Sequence, residues 1–176
     1  CPYSVEHEIK KQMTLAAQSL GLDNCAVNAD LLVCNDHVFI LEIGGRAGAT
    51  GIPELISCYT GTDYYEQIIR NALGECADFL ELSKIPCLSR LLFSTRSGTI
   101  THICKDTVFK LQAEDTSIHL DYRPGDHISC VKNGTDRIGS VICKGLPGQS
   151  LTQLELKMNR ILSSLQSSIF VDGIPL

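Results

Sequence analysis

Asp30 and Glu42 stand twelve positions apart in a stretch that is otherwise largely apolar, and Arg46 follows Glu42 across two glycines. The run Val38-Phe39-Ile40-Leu41 ends on Glu42, and the loop from Gly44 to Gly51 carries that single arginine. Glycine lets the backbone approach a bound group closely, and arginine supplies a planar, permanently charged donor fork. Two carboxylates on neighbouring strands, pointing the same way, repel each other unless a cation lies between them. Oxygen ligands with positions left open for phosphate suit Mg²⁺. Arg46 is within reach of a transferring phosphoryl group or a substrate carboxylate. Leu32 and Leu41 flank the acids and can line a flat pocket for a nucleotide base. The same two acids can equally be solvent-facing residues of an alternating hairpin.

The elements that must position these residues can be read from periodicity. Val5, Ile9, Met13, Ala16 and Leu20 recur at helical spacing, and Gly21 ends that helix. Ala26–Val33 and His37–Ile43 read as the strands of an antiparallel hairpin joined at Cys34-Asn35-Asp36. Pro53 fits the first turn of a short helix, Pro53–Tyr59. Asp63 and Glu66 form a capping-box pattern for a helix Tyr64–Leu73 that would bury Tyr65, Ile68, Ile69 and Leu73. The pattern loosens from Cys76 to Pro86, which places a boundary between residues 1–78 and 87–176. Beyond it, Arg90–Thr95, Gly98–Cys104, Thr107–Leu111, Ser117–Leu120, His127–Val131 and Arg137–Cys143 read as short strands, with Asn133-Gly134 as a hairpin turn. Ser150 caps a final helix whose apolar stripe is Leu151, Leu154, Met158, Ile161, Leu162 and Leu165. The tail Ser168–Leu176 has no clear period.

Composition narrows the function classes. The chain has 176 residues, 44% hydrophobic and 20% charged, an ordinary globular balance. A net charge of -5 argues against a nucleic-acid surface. No apolar run approaches the length of a membrane span, and there is no signal-peptide pattern. The nine cysteines include no C-x-x-C pair. Such spacing fits neither zinc sites nor a small disulfide scaffold, and it reads as small buried hydrophobes in a reduced cytosol. Neither Cys34 nor Cys58 has the neighbouring histidine of a nucleophile pair. The chain begins on Cys1 with a helical pattern almost at once, as expected of a piece of a longer, cytoplasmic protein.

The stretch Leu22–Gly74 resembles the carboxyl-terminal half of an ATP-grasp domain. In that family an acid on one strand is followed twelve positions later by Glu in a Glu-x-Asn-x-Arg pattern, and the two acids bind the Mg²⁺ that bridges ATP phosphates. Asp30, Glu42 and Arg46 match those positions, and the apolar positions that touch adenine map to Leu32 and Leu41. The downstream Gly51-Ile52-Pro53-Glu54 and Thr60-Gly61-Thr62-Asp63 resemble the family's substrate loop and following helix. Gly44 departs from the pattern by replacing the usual Asn, which removes one ligand and leaves one or two metals open. Asp30 replaces the commoner Glu. Tyr122-Arg123-Pro124-Gly125-Asp126-His127, then Asp136–Gly145, then a helix is similar in order to the small carboxyl-terminal domain of carboxylate–amine ligases and biotin carboxylases.

The resemblance implies an α+β fold: the C-terminal half of an ATP-grasp domain, with antiparallel strands and helices, then a small mainly β domain with a terminal helix. It implies ATP and Mg²⁺ as cofactors, with Mn²⁺ as an alternative, and a parent enzyme that activates a small-molecule carboxylate as its acyl-phosphate. An amine substrate then attacks, forming an amide or peptide bond and releasing ADP and phosphate. Arg46 would stabilise the transferring group. Family members often form homodimers. The N-terminal subdomains of the same polypeptide, with the flap and lysines that hold phosphate, are missing here, so this chain alone is expected to bind ATP weakly. Micromolar Mg-ATP binding by the chain in calorimetry would refute that. A biotin-carboxylase-like or carbamoyl-phosphate-like reaction, and a degenerate non-catalytic remnant serving as a binding scaffold, are the alternatives.

Overall fold

The computed structural model describes residues 3–79, 84–113 and 115–176. Cys1 and part of the loosened stretch between Cys76 and Pro86 fall outside them. The fold is α+β with antiparallel sheets, and the chain divides into two compact units. The first unit takes the chain as far as Ala49 and again Asp63–Phe79; the second takes Thr50–Thr62 and the chain beyond Phe79.

In the first unit, helix α1 (Tyr3–Ser19) lies on a two-stranded hairpin of β1 (Asn28–Cys34) and β2 (His37–Gly44). Among the described residues, Val5 of α1 and Val38 of β2 are its buried apolar residues. Asn35 and Asp36 both adopt positive φ (49° and 61°), the turn geometry whose twist matches two antiparallel strands. The chain then passes through α2 (Ile52–Thr60), part of the second unit, before α3 (Tyr64–Ala72) returns to the first. The Asp63 side chain accepts the Glu66 amide at 3.1 Å, as a helix N-cap should. The Glu66 carboxylate turns to Arg70 at 2.8 Å, so the reciprocal half of the box is replaced by an i,i+4 ion pair.

Helix α3 corrects one expectation. Tyr65, Ile69 and Leu73 are exposed (46%, 59% and 70%), and the buried position is Gln67. Its side-chain oxygen accepts the Asp78 amide at 2.7 Å, so this face serves the following chain rather than an apolar core.

The second unit carries two small antiparallel sheets. Strands β3 (Cys87–Leu92), β7 (Gly139–Lys144) and β5 (Thr116–Leu120) form one, with β7 central. Strands β6 (His127–Ile128), β4 (Gly98–Ile103), β8 (Ile169–Val171) and β9 (Ile174–Pro175) form the other. Helix α5 (Leu151–Ser168) buries Leu154, Met158, Ile161 and Leu165 against Ile118, Val141 and Cys143. Its Ser150 cap and Gln153 make a full capping box. A second cluster gathers Leu92, Ile100, Ile128, Ile138, Ile169 and Val171, and Leu162 packs against both clusters.

Three further expectations fail here for local reasons. Lys105–Leu111 is a helix, α4, where a strand was read from Thr107. Val108 and Leu111 reach the core three positions apart while Phe109 is 81% exposed, a helical pattern that alternation cannot produce. Asn133-Gly134 opens a single 3-10 turn rather than a hairpin. The Asn133 side chain accepts the Thr135 amide and Asp136 accepts the amides of Lys132 and Asn133, which commits those donors locally. The patternless tail holds the β8–β9 hairpin, turned by Asp172 and Gly173 at positive φ. The cysteines also depart from the buried reading. Among the described residues only Cys143 is buried, and Cys25, Cys34 and Cys76 are exposed.

Candidate functional site

The β1–β2 hairpin places Asp30 directly opposite Glu42. Directly opposed residues share a face, with Cβ atoms about 5 Å apart. The register slips by one between Asp30 and Leu31, so Leu41 is an extra residue in β2 with no partner. From the turn to that point, Leu32 pairs with Phe39 and Val33 with Val38. Asp30, Leu32, Phe39 and Glu42 therefore occupy one face, and Val38 and Ile40 the other, toward α1. The first face is open: Leu32 and Phe39 are each 53% exposed, and both acids are exposed. Leu41, at the bulge, is 68% exposed.

Both carboxylates are exposed, and the high dielectric of water reduces their repulsion to about 1 kcal/mol, so the pair does not require a cation in order to fold. What the arrangement offers is an acidic pair at the edge of an apolar patch. Mg²⁺ keeps several waters and is commonly held by one or two carboxylates together with substrate phosphates, so two opposed acids suit it. Among the described residues no group of three or more His, Cys, Asp or Glu side chains is placed to hold a metal. The residues fit a metal carried in with a phosphate ligand, not a closed all-protein cage.

In the loop after β2, a Cβ on Gly45 would come within 2.9 Å of Leu22 Cδ2, so a side chain there requires the end of Leu22 to shift. At Gly44 the nearest atom to an added Cβ is Arg46 Cγ at 3.8 Å, ordinary contact distance, and φ is not positive. The backbone does not demand glycine at position 44. The Arg46 amide donates to the Gly44 carbonyl at 2.9 Å, and its guanidinium Nη1 donates to the Ala47 carbonyl at 2.9 Å. Arg46 thus folds onto its own loop, exposed, while Asp30, Glu42, Leu32 and Phe39 are brought together.

Phe39 was absent from the candidates drawn from sequence, because strict alternation puts it on the face opposite Glu42. The signal that finds it is the bulge itself.

Solved structures resemble the chain over nearly its whole length. Phosphoribosylglycinamide synthetase from Anaerococcus prevotii matches at 25% identity and a TM-score of 0.78, over 97% of this chain and 42% of its own. L-amino acid ligase from Bacillus licheniformis matches at 17% and 0.74, over 97% and 43%. N5-carboxyaminoimidazole ribonucleotide synthetase from Thermotoga maritima matches at 13% and 0.67, over 98% and 44%. The fold is that of the ATP-grasp ligases. No protein-family model and no curated protein sequence matches the chain. It spans less than half the length of each ATP-grasp structure above. Among the described residues no helix is long and apolar enough to cross a membrane.

Proposed function

We propose that this chain forms one wall of the nucleotide site, and the small terminal domain, of an ATP-dependent carboxylate–amine ligase. The observation that carries the reading is the opposed pair Asp30–Glu42 beside the open apolar patch of Leu32 and Phe39, on a fold shared with ATP-grasp ligases. In this reading Leu32, Phe39 and Leu41 lie against the adenine, and Asp30 and Glu42 hold the Mg²⁺ that accompanies the phosphates. The metal neutralises phosphate charge when bound. Arg46 swings from Ala47 to the transferring phosphoryl group or the acyl-phosphate, where a planar fork meets three oxygens. Its present hydrogen bond, to an exposed carbonyl, is weak enough to exchange for a charged partner. The enzyme's contribution is positioning and charge neutralisation, and an amine then displaces phosphate from the activated carboxylate.

The other wall belongs to chain outside these residues, so the chain alone binds Mg-ATP weakly. Gly44 favours a second reading, a non-catalytic remnant, because a side chain fits there and the family's usual ligand is nonetheless absent. Phosphate release by the complete polypeptide, screened with Mg-ATP and pairs of amino acids, separates the two. A productive pair that Arg46→Ala silences supports the ligase; no release with any pair supports the remnant.

A further inference from the structure

Helix α2 packs on β3 within the second unit, and it brings two thiols together. The sulfurs of Cys58 in α2 and Cys87 at the start of β3 lie 2.7 Å apart, with the Cys87 thiol donating to Cys58. Both are half-buried and free. A metal cannot sit between them at this separation: zinc–sulfur bonds of about 2.3 Å in tetrahedral geometry hold two sulfurs about 3.8 Å apart. Cys143 is the buried cysteine of the same unit, and its sulfur faces the Thr116 hydroxyl at 4.0 Å. Sequence position adds a second observation. The chain leaves the second unit after Thr62 and returns after Phe79, so Cys58 and Cys87 flank that excursion on either side.

We propose that Cys58 and Cys87 form a reversible disulfide site, oxidised by hydroperoxides, that closes the chain from 58 to 87 into a covalent loop. In the first step the Cys58 sulfur attacks the outer peroxide oxygen. The O–O bond breaks, Cys58 becomes a sulfenic acid, and the alcohol, or water from hydrogen peroxide, leaves with the proton. In the second step the Cys87 sulfur attacks the Cys58 sulfur. The S–O bond breaks, the S–S bond forms, and water leaves with the Cys87 proton. Two electrons pass from the thiols to the peroxide, and a dithiol reductant returns them. Burial, and then the hydrogen bond to Cys58, push the Cys87 thiol up to about 12. The Cys87 thiol aims its hydrogen at the Cys58 sulfur, which favours negative charge on Cys58 and gives it the opening attack.

The test is a thiol map of the intact chain. The protein is titrated with hydrogen peroxide, remaining thiols are capped with iodoacetamide, and a tryptic digest is weighed without reduction. Cleavage after Arg46, Arg70, Lys84 and Arg90 leaves each of the two cysteines alone in its own peptide. The expected result is joint loss of both capped peptides and gain of one linked species two hydrogens lighter than their uncapped sum, reversed by dithiothreitol. Cys58→Ser and Cys87→Ser each abolish that species, while the parent map needs no variant to fold. The proposal is overturned if both cysteines stay capped while exposed Cys25, Cys34 and Cys76 oxidise. Over-oxidation of Cys58 without a link, or pairing of either cysteine elsewhere, overturns it equally.

Discussion

Asp30 and Glu42 face each other across the first hairpin only because Leu41 is one residue too many for a regular ladder. The turn pairs Cys34 with His37, and each regular step outward keeps partners an odd number of positions apart. Continued without a slip, that ladder would set Leu41 opposite Asp30 and send Glu42 to the α1 side. The bulge gathers both acids and Phe39 on the open face.

That division of faces predicts opposite outcomes for adjacent residues. Val38→Ala removes buried methyl groups under α1 and is expected to cost roughly 1–2 kcal/mol of stability. Phe39→Ala removes a ring that is half in water and is expected to change stability by no more than about 0.5 kcal/mol. In the complete polypeptide the order reverses for nucleotide affinity, with Phe39→Ala the damaging change. Urea denaturation and nucleotide titration of the two variants read this directly. Equal stability losses would mean that the faces are misassigned.

Gly44 supplies a gain-of-function prediction. Because an added Cβ there meets only Arg46 Cγ at 3.8 Å, Gly44→Asn should fold normally. If Asp30 and Glu42 hold a metal, the new amide oxygen adds a ligand and lowers the Mg²⁺ concentration needed for half-maximal phosphate release. A Mg²⁺ titration unchanged in a folded Gly44→Asn variant would count against a metal beside this loop.

The second unit has a salt-linked acid whose pH dependence can be signed. The hydrogen bond from Lys157 Nζ to Asp115 Oδ2, at 2.6 Å, holds the Asp115 carboxyl below its ordinary value, and the Thr116 hydroxyl adds to this. A carboxyl depressed in the folded state stabilises the fold above its unfolded pKa, about 3.9, and loses that contribution as pH falls through the folded value. The pair is partly exposed, so the effect is small, about 1 kcal/mol or less. Lys157→Met should therefore destabilise the chain at neutral pH and converge with the parent chain in acid. Denaturation at pH 7 and pH 3 checks it, and a gap that stays constant between the two would remove the ion pair from the explanation.

Much of the first unit was legible because its signals are local. Asn35-Asp36, Asp63 and Gly21 each announce a turn or a helix end by their own chemistry. The bulge was not legible, because a three-residue connection Cys34-Asn35-Asp36 makes separations even without one; only the two-residue turn found here, with Cys34 paired to His37, makes them odd and requires the extra residue. The Asp172-Gly173 turn was a strong hairpin signal hidden by the shortness of its strands. The misreadings came from tertiary context. Val108 and Leu111 make a helix because the core lies on their side, and Tyr65, Ile69 and Leu73 are apolar yet exposed. The Cys58–Cys87 contact joins residues 29 positions apart, which no spacing rule would single out.

Asp30 and Glu42 are proposed to act as one unit on a nucleotide-borne metal. This is tested most directly by Mg²⁺-dependent phosphate release from the complete polypeptide carrying Asp30→Asn, Glu42→Gln, or both. Each single change is predicted to lower the rate by about a hundredfold or more, as expected when one charge-stabilising group is lost. The double variant should be little worse than either, because groups acting as a unit are not additive. Near-normal rates in both single variants, with the same Mg²⁺ dependence as the parent, would show that the two acids hold no metal.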